Sequence, residues 1–408
     1  MLRKLRIPVV AAALTLPLIG SAAYAQESAD NLAARPMDVG VSTVAAEITG
    51  ERTGEELTRN DTVLYTSPRT VISYPGAAYV KVHVNAMKLA AGDRLVVSDP
   101  AGRERHVYTA DPSRSARPSS DSSATFHRTQ GFGAMSIDGD TAVVTIEKTS
   151  RASARSLDRA GHGVRIDRVW RGLTDAERLA DQTRAVCGRD ARQDAICYAQ
   201  SHPTHYARSK ATAKIIMNGS GSCTAWRVGN TNRMLTNNHC IKAANAVRTT
   251  EVQFGYDCAT CGRNDPVTPT KVSGAEFFKT NATLDYTLFS MDRFEAVTSF
   301  GTIYLDPRIP VAGEEIYIPG HGDGKPKRIS IVEEPGAPQT CTVYKVSGNR
   351  TSYNCDTSGG NSGSPVLSAT SHKAISLHNT GRCPNDNGSN RIDKIYPEIQ
   401  SMIDNRIR

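Results

Sequence analysis

From Cys187 to the C-terminus, short runs of β character recur between Gly, Pro and Asn turns, with no helical pattern between them. They fall at 213–217, 223–228, 252–256, 287–291, 315–319, 341–346, 365–368 and 373–378. Many short strands without intervening helices predict an all-β sandwich or barrel. The end of the chain differs. Ile392, Ile395, Ile399, Met402 and Ile403 keep a helical spacing, which predicts a terminal helix packed on the barrel with Pro397 in its first turn.

All nine cysteines lie in this same part, at or beyond Cys187. Such a cluster reads as a disulfide framework if the chain is exported. The N-terminus predicts export. Arg3, Lys4 and Arg6 precede an apolar stretch over 7–20, and Ala23-Tyr24-Ala25 is a small-x-small cleavage site. Residues 1–25 are expected to be a signal peptide. The apolar stretch is shorter than the ~20 residues that span a bilayer. A secreted protein is therefore expected, extracellular or periplasmic in transit, with no membrane partner. Cys258 and Cys261 form one C-x-x-C with no matching second pair, so no metal is expected. An odd number of cysteines leaves at least one thiol free or paired between molecules.

At 408 residues the chain is long enough for two or three units. Residues 26–59 lack periodicity and read as a linker or the start of a propeptide. Over 60–150 the pattern is β. Tyr79, Lys81 and His83 alternate with Val80, Val82 and Val84, as in a half-buried strand. Asp99-Pro100-Ala101-Gly102 is a turn between two such runs. A small β-sandwich is predicted here, without a catalytic constellation. Residues 151–180 read as a second linker, with a short helix from about 174, and 181–408 as the catalytic unit. The net charge of +8 is spread along the chain, and no basic motif is interleaved with aromatics. This argues for a solvated surface and against a nucleic-acid partner.

The chemistry begins at Gly359-Gly360-Asn361-Ser362-Gly363-Ser364-Pro365-Val366. A nucleophilic serine needs a backbone that lets a carbonyl carbon approach, and two N–H groups aimed at the oxygen that becomes negative. Glycines around Ser362 permit both, with the amides of Gly360 and Ser362 as expected oxyanion donors. The elbow of α/β-hydrolases needs G-x-S-x-G, whereas Ser364 stands at the last position here. Upstream, Met234-Leu235-Thr236-Asn237-Asn238-His239-Cys240 places a base at the end of an apolar run. Cys240 is positioned to pin that loop to Cys223 in the preceding strand. Between them, Leu284-Asp285-Tyr286-Thr287-Leu288-Phe289 sets one carboxylate at the head of a strand, able to hold the tautomer of His239. Asp292 is the nearest rival, but it follows the strand in a polar turn. The order His, Asp, Ser matches chymotrypsin-type barrels and neither subtilisins nor α/β-hydrolases.

At these residues the chain resembles the trypsin-like peptidase superfamily, and within it bacterial lysyl- and glutamyl-endopeptidases. The segment from His321 to Ser330 resembles a loop of the lysyl group, as does the early cysteine pair Cys187 and Cys197. The resemblance covers roughly residues 186–408. It implies a double β-barrel, a catalytic triad of His239, Asp285 and Ser362, an oxyanion hole at Gly360 and Ser362, and a Cys187–Cys383 disulfide. A Cys341–Cys355 disulfide is a further expectation. The residues before 180 have no counterpart in the classical enzymes, and by analogy act as a propeptide. Pancreatic members carry Asp just before the serine where this chain has Asn361, so activation by a freed terminal amine is not expected. Two S1 candidates compete. Asp356, six residues before Ser362, suits Lys or Arg at P1, and this is the favoured expectation. His378 resembles the position at which glutamyl endopeptidases hold an acidic side chain.

The expected function is cofactor-free endopeptidase action on protein or peptide substrates. The alternative is a secreted binding protein on an inactive peptidase scaffold. Neither reading sets the oligomeric state.

Overall fold

The computed structural model describes residues 51–408 apart from 115–121, 128–129, 182–185, 187, 335, 337–338, 383–386 and 408. The expected signal peptide, 1–25, and the expected Cys187–Cys383 pair lie outside the described residues. Among the described residues, no helix is long and apolar enough to cross a membrane.

The first sandwich sheet orders Arg69–Ser73, Thr141–Glu147, Arg94–Ser98 and Arg105–Tyr108. The second orders Gly54–Val63, Gly163–Gly172, Tyr79–Lys88, Phe132–Ala134 and Ala124–Thr125, with Ile137–Asp138 also on Tyr79–Lys88. Val80, Val82, Val84, Leu95, Val97, Val144, Val164 and Ile166 fill the space between them. Two expected boundaries are corrected. Strand structure begins at Glu51, inside the stretch expected to be linker. The second expected linker, 151–180, supplies Gly163–Gly172, which pairs along its length with both Gly54–Val63 and Tyr79–Lys88. Val164, Ile166 and Val169 give it an apolar face, broken by a register shift between Ile166 and Arg168 that hides the alternation. The strand Tyr79–Lys88 is covered on both faces, so Lys81 and His83 are buried as fully as the valines beside them.

The remainder is a chymotrypsin-type pair of β-barrels. In the first, Gly221–Arg227, Thr212–Met217, Glu251–Phe254, Thr270–Asn281, Tyr286–Met291 and Met234–Thr236 follow one another, and Met234–Thr236 closes back on Gly221–Arg227. In the second, Arg328–Ser330, Ile316–Gly320, Pro365–Ser368, Ala374–Thr380, Asn387–Arg391, Arg350–Tyr353 and Val343–Ser347 are ordered, and a Glu315–Thr342 bridge closes the circuit. Trp226, Leu288, Tyr317, Leu367, Leu377 and Ile395 belong to one core cluster, which joins residues of both barrels and the terminal helix. That helix spans Ile392–Ile399, so Pro397 lies inside it and not in its first turn; Ile392, Ile395 and Ile399 are its buried face.

The sandwich is fused to the first barrel. Glu51–Arg52 pairs with the first residues of Gly221–Arg227. The Tyr79 hydroxyl donates to the Gly219 carbonyl at 2.8 Å. Gly219 has a positive φ of 77°, and a Cβ there would lie 2.4 Å from the Trp170 ring, so only glycine fits. The Lys81 ammonium meets the Glu251 carboxylate at 2.7 Å, both side chains fully buried. Lys271 meets Glu104 at 2.5 Å and Asp138 at 2.8 Å. Asp292, the rival acid, is also at this seam: one oxygen accepts from the Ser123 hydroxyl and the Ser273 N–H.

Two disulfides are described. Cys223–Cys240 is the expected one, with a sequence separation of 17. Cys197–Cys261 was not foreseen, and it takes one thiol of the C-x-x-C. Cys258 remains a buried thiol. Cys341 and Cys355, the further expected pair, are buried thiols in one cluster and lie in side-chain hydrogen-bond contact with each other. Cys341 N–H donates to Ile331 and its carbonyl accepts from Ile316, whereas the Cys355 carbonyl accepts from the Asn387 amide.

Candidate active site

His239 follows the last residue pairs of Met234–Thr236, and Asp285 precedes Tyr286–Met291. These two strands are neighbours, so the barrel itself brings base and acid together. His239 Nδ1 lies 2.8 Å from Asp285 Oδ2, and the His239 backbone N–H donates to Oδ1 at 3.0 Å. The Asn237 side chain donates to the Asp285 carbonyl at 2.8 Å. Asp285 holds a left-handed φ of 46°, which costs backbone strain in a non-glycine residue and is sustained by these bonds. A carboxylate on Nδ1 fixes the imidazole so that Nε2 faces away from it.

The loop that carries Ser362 is held by the first barrel. Thr224, next to the disulfide residue Cys223, donates its N–H to the Ser362 carbonyl at 2.8 Å and its hydroxyl to the Gly360 carbonyl at 2.8 Å. The Cys240 sulfur lies 4.0 Å from the Ser362 carbonyl, so the residue after the base touches the residue expected as nucleophile. The Gly359 carbonyl accepts from the Asp323 N–H at 2.6 Å. In a trans peptide the N–H points opposite to the carbonyl, so this bond turns the Gly360 N–H away from Asp323. Gly360 has φ 90° and Gly363 φ 87°, and a Cβ at Gly363 would lie 2.1 Å from the Thr224 carbonyl. Neither the Gly360 nor the Ser362 N–H donates to another group among the described residues. Both amides thus remain available as donors.

The two S1 candidates differ in what they already touch. Asp356 is fully buried and accepts the Ala191 N–H at 2.7 Å. Its charge also acts on the Arg192 guanidinium. His378 forms part of Ala374–Thr380, its carbonyl accepting from Gly363 and its N–H donating to Ser364. Its Nδ1 lies 2.6 Å from the Tyr353 hydroxyl. Burial, followed by the charges of His239 and Arg350, pushes His378 down to about 3, so the ring is neutral. Burial holds the Tyr353 phenol well above its ordinary value, which keeps it a donor.

Some residues that hold the candidate site carry no motif of their own. Asn379, directly after His378, donates to Asp285 Oδ2 at 3.2 Å. Asn390 donates to the Leu284 carbonyl at 2.7 Å, and Thr224 holds the loop as described. Adjacency to His378 was the only signal for Asn379; Thr224 stands beside Cys223 in the same way. A cavity of ≈650 Å³ opens beside His239 and Asp285, lined also by Asn379, Arg350, Gly348 and Thr283. Cys223, His239 and Cys240 bring three ligand-type atoms within 4.8 Å, but the disulfide takes both sulfurs.

Paired barrels with a His–Asp couple at their seam define the class. Residues 221–375 match the family model for the trypsin-like peptidase domain. It is 29% identical over 266 residues to "Secreted RxLR effector protein 73" of Plasmopara viticola, covering 62% of this chain and 65% of that one. It is 31% identical over 157 residues to "Uncharacterized protein y4fB" of Sinorhizobium fredii (strain NBRC 101917 / NGR234), covering 36% of this chain and 24% of that one. The chain thus spans less than two thirds of either relative. Among solved structures, a Glu endopeptidase in complex with MPD aligns at 20% identity and TM-score 0.41, covering 54% of this chain and 100% of that one. The Rv3671c protease in its inactive form aligns at 10% identity and TM-score 0.38, covering 53% of this chain and 99% of that one.

Proposed function

We propose that the chain is an exported serine endopeptidase in which His239, Asp285 and Ser362 form the catalytic triad. The observation that carries this reading is the His239 Nδ1–Asp285 contact of 2.8 Å beside a loop whose Gly360 and Ser362 amides are unspent. His239 Nε2 takes the proton of the Ser362 hydroxyl as its oxygen attacks a peptide carbonyl. The two amides receive the oxyanion. Asp285 holds the imidazolium, which then protonates the leaving amine, and water repeats the steps on the acyl-enzyme. No step draws on a cofactor. Export is supported by the leader pattern in residues 1–25 and by the two described disulfides.

The P1 residue follows from what is left for it to meet. Lys or Arg at P1 needs the Asp356 carboxylate, which already receives an N–H and lies in the field of Arg192. A second cation there competes with the first. This favours the alternative, an acidic P1 side chain against His378, on which the charge of Arg350, a residue lining the cavity beside His239, also acts. The buried contacts between sandwich and barrel support a lasting structural role for residues 51–172, in place of a removable propeptide.

Fluorophosphonate labelling together with matched chromogenic peptides ending in Glu, Lys, Arg or Leu tests the reading. Labelling at Ser362 and preferential release after Glu, lost in His378→Ala, are expected. Preference for Lys or Arg that disappears in Asp356→Asn overturns the acidic P1. An unlabelled protein that cleaves nothing is a binding module on a peptidase scaffold.

A further inference from the structure

Asn361 offers no carboxylate to a freed chain terminus, yet the loop before Ser362 is met by a cation. Arg192 is buried, and one of its terminal nitrogens donates to the Ser358 hydroxyl and to Asn361 Oδ1, the latter at 3.4 Å. Asn361 Oδ1 also caps the Ser358 N–H at 3.1 Å, so the guanidinium grips both ends of the turn that carries Gly359 and Gly360. The rest of the fork is held by acids. Nε and the second terminal nitrogen reach the two oxygens of Asp190, each at 2.8 Å, and that second nitrogen lies 3.4 Å from Asp323. Asp323 is the residue whose N–H holds the Gly359 carbonyl. Arg328 bridges the same two acids, at 3.0 Å to Asp190 and 2.6 Å to Asp323. Burial works against the Arg192 charge, and Asp190, Asp323 and Asp356 more than offset it. The segment bearing Arg192 is fixed from behind, because Gln193–Asp194 pairs with Arg328–Ser330 and Cys197 is bonded to Cys261.

We propose that Arg192 is a built-in positioning residue for the oxyanion loop, an internal guanidinium that orders residues 358–362 without any freed chain terminus. The inference rests on the serine-endopeptidase reading. Arg192 touches neither substrate nor reacting atoms. It acts through Ser358, Asn361 and Asp323, which set the peptide before Gly360 and hence the direction of one oxyanion donor. It also gives the segment from His321 to Ser330 a task, since Asp323 and Arg328 complete the latch.

The test compares Arg192→Met and Arg192→Lys with the wild type in the full chain, reading kcat and KM separately, melting temperature, and affinity for a peptide boronic acid whose tetrahedral adduct places an oxygen in the hole. Arg192→Met is expected to lower kcat by about 10²–10³-fold, the range for loss of one oxyanion donor, with KM within about twofold and boronate affinity falling in parallel. Arg192→Lys keeps the charge and loses the fork, and is expected to recover part of that loss. If the Met variant does not fold, the Lys variant decides by the same split between kcat and KM. Wild-type kcat in a folded variant, or a change confined to KM, overturns the role of Arg192. A wild type that neither cleaves peptide nor takes a fluorophosphonate overturns the peptidase reading itself, and this inference with it.

Discussion

The Lys81 ammonium and the Glu251 carboxylate face each other at 2.7 Å across the seam between sandwich and barrel, with neither side chain exposed. Burial alone works against the Glu251 charge, and Lys81 and Lys271 more than offset it, so the carboxyl stays below its ordinary range. Removing one partner of such a pair strands the other. Lys81→Met should cost about 3–5 kcal/mol in urea unfolding, and adding Glu251→Gln should return part of it. A loss under ~1 kcal/mol for Lys81→Met contradicts the fused architecture.

Asn379 holds the same Asp285 oxygen that His239 uses. Asn379→Ala removes a neutral donor to a charged acceptor, an interaction of about 1.5–3 kcal/mol. A fall in kcat/KM of roughly tenfold or more is expected, with melting temperature little changed. Undiminished kcat/KM shows that Asn237 and the His239 backbone are enough to seat Asp285.

The His239–Asp285 couple was legible because each residue stands in a short segment of fixed chemistry, an apolar run then His239-Cys240 and Asp285 at a strand head. The sandwich was legible from Val80, Val82 and Val84. Its last strand was not, because Gly163–Gly172 breaks its alternation at a bulge. Lys81 and His83 read as solvent-facing because their partners Glu251 and Asp167 lie 170 and 84 residues away. Arg192 was equally silent, one arginine among many until the fold sets it beside Asn361. The contact of Asp356 with Ala191, which spans 165 residues, left no trace in the sequence for the same reason.

Acid should destabilise the fold through its buried histidines before Asp190 and Glu104 titrate. His378 is held neutral, down to about 3, and burial also lowers His127 and His321 well below the ordinary value. The unfolded histidines titrate near 6.5. Between these values the unfolded chain binds more protons, so stability is full above about pH 6.5 and falls as pH drops toward 3. Asp190 and Glu104, both held at about 2, begin to contribute only below about pH 4. Urea unfolding at pH 7, 6 and 5 should show a steady loss, reduced in His378→Gln. A flat profile from pH 7 to 5 contradicts the buried neutral histidines.

The Cys223–Cys240 bridge ties the strand that carries Thr224 to the loop that carries His239. Closing a loop of this length is worth ~3 kcal/mol. Cys223→Ala/Cys240→Ala should lose about that much in chemical unfolding, with a fall in kcat because His239 and the Ser362 loop lose their shared anchor. Full stability in the double variant rejects the bridge as a strut.

The most direct measurement is the turnover of Ser362→Ala on whichever peptide the wild type cleaves best, with folding verified by the melting curve. The account predicts a fall in kcat of about 10⁶-fold, a similar fall in His239→Ala, and little further loss when both are changed, because the two act as one unit. Substantial peptidase activity in folded Ser362→Ala contradicts it.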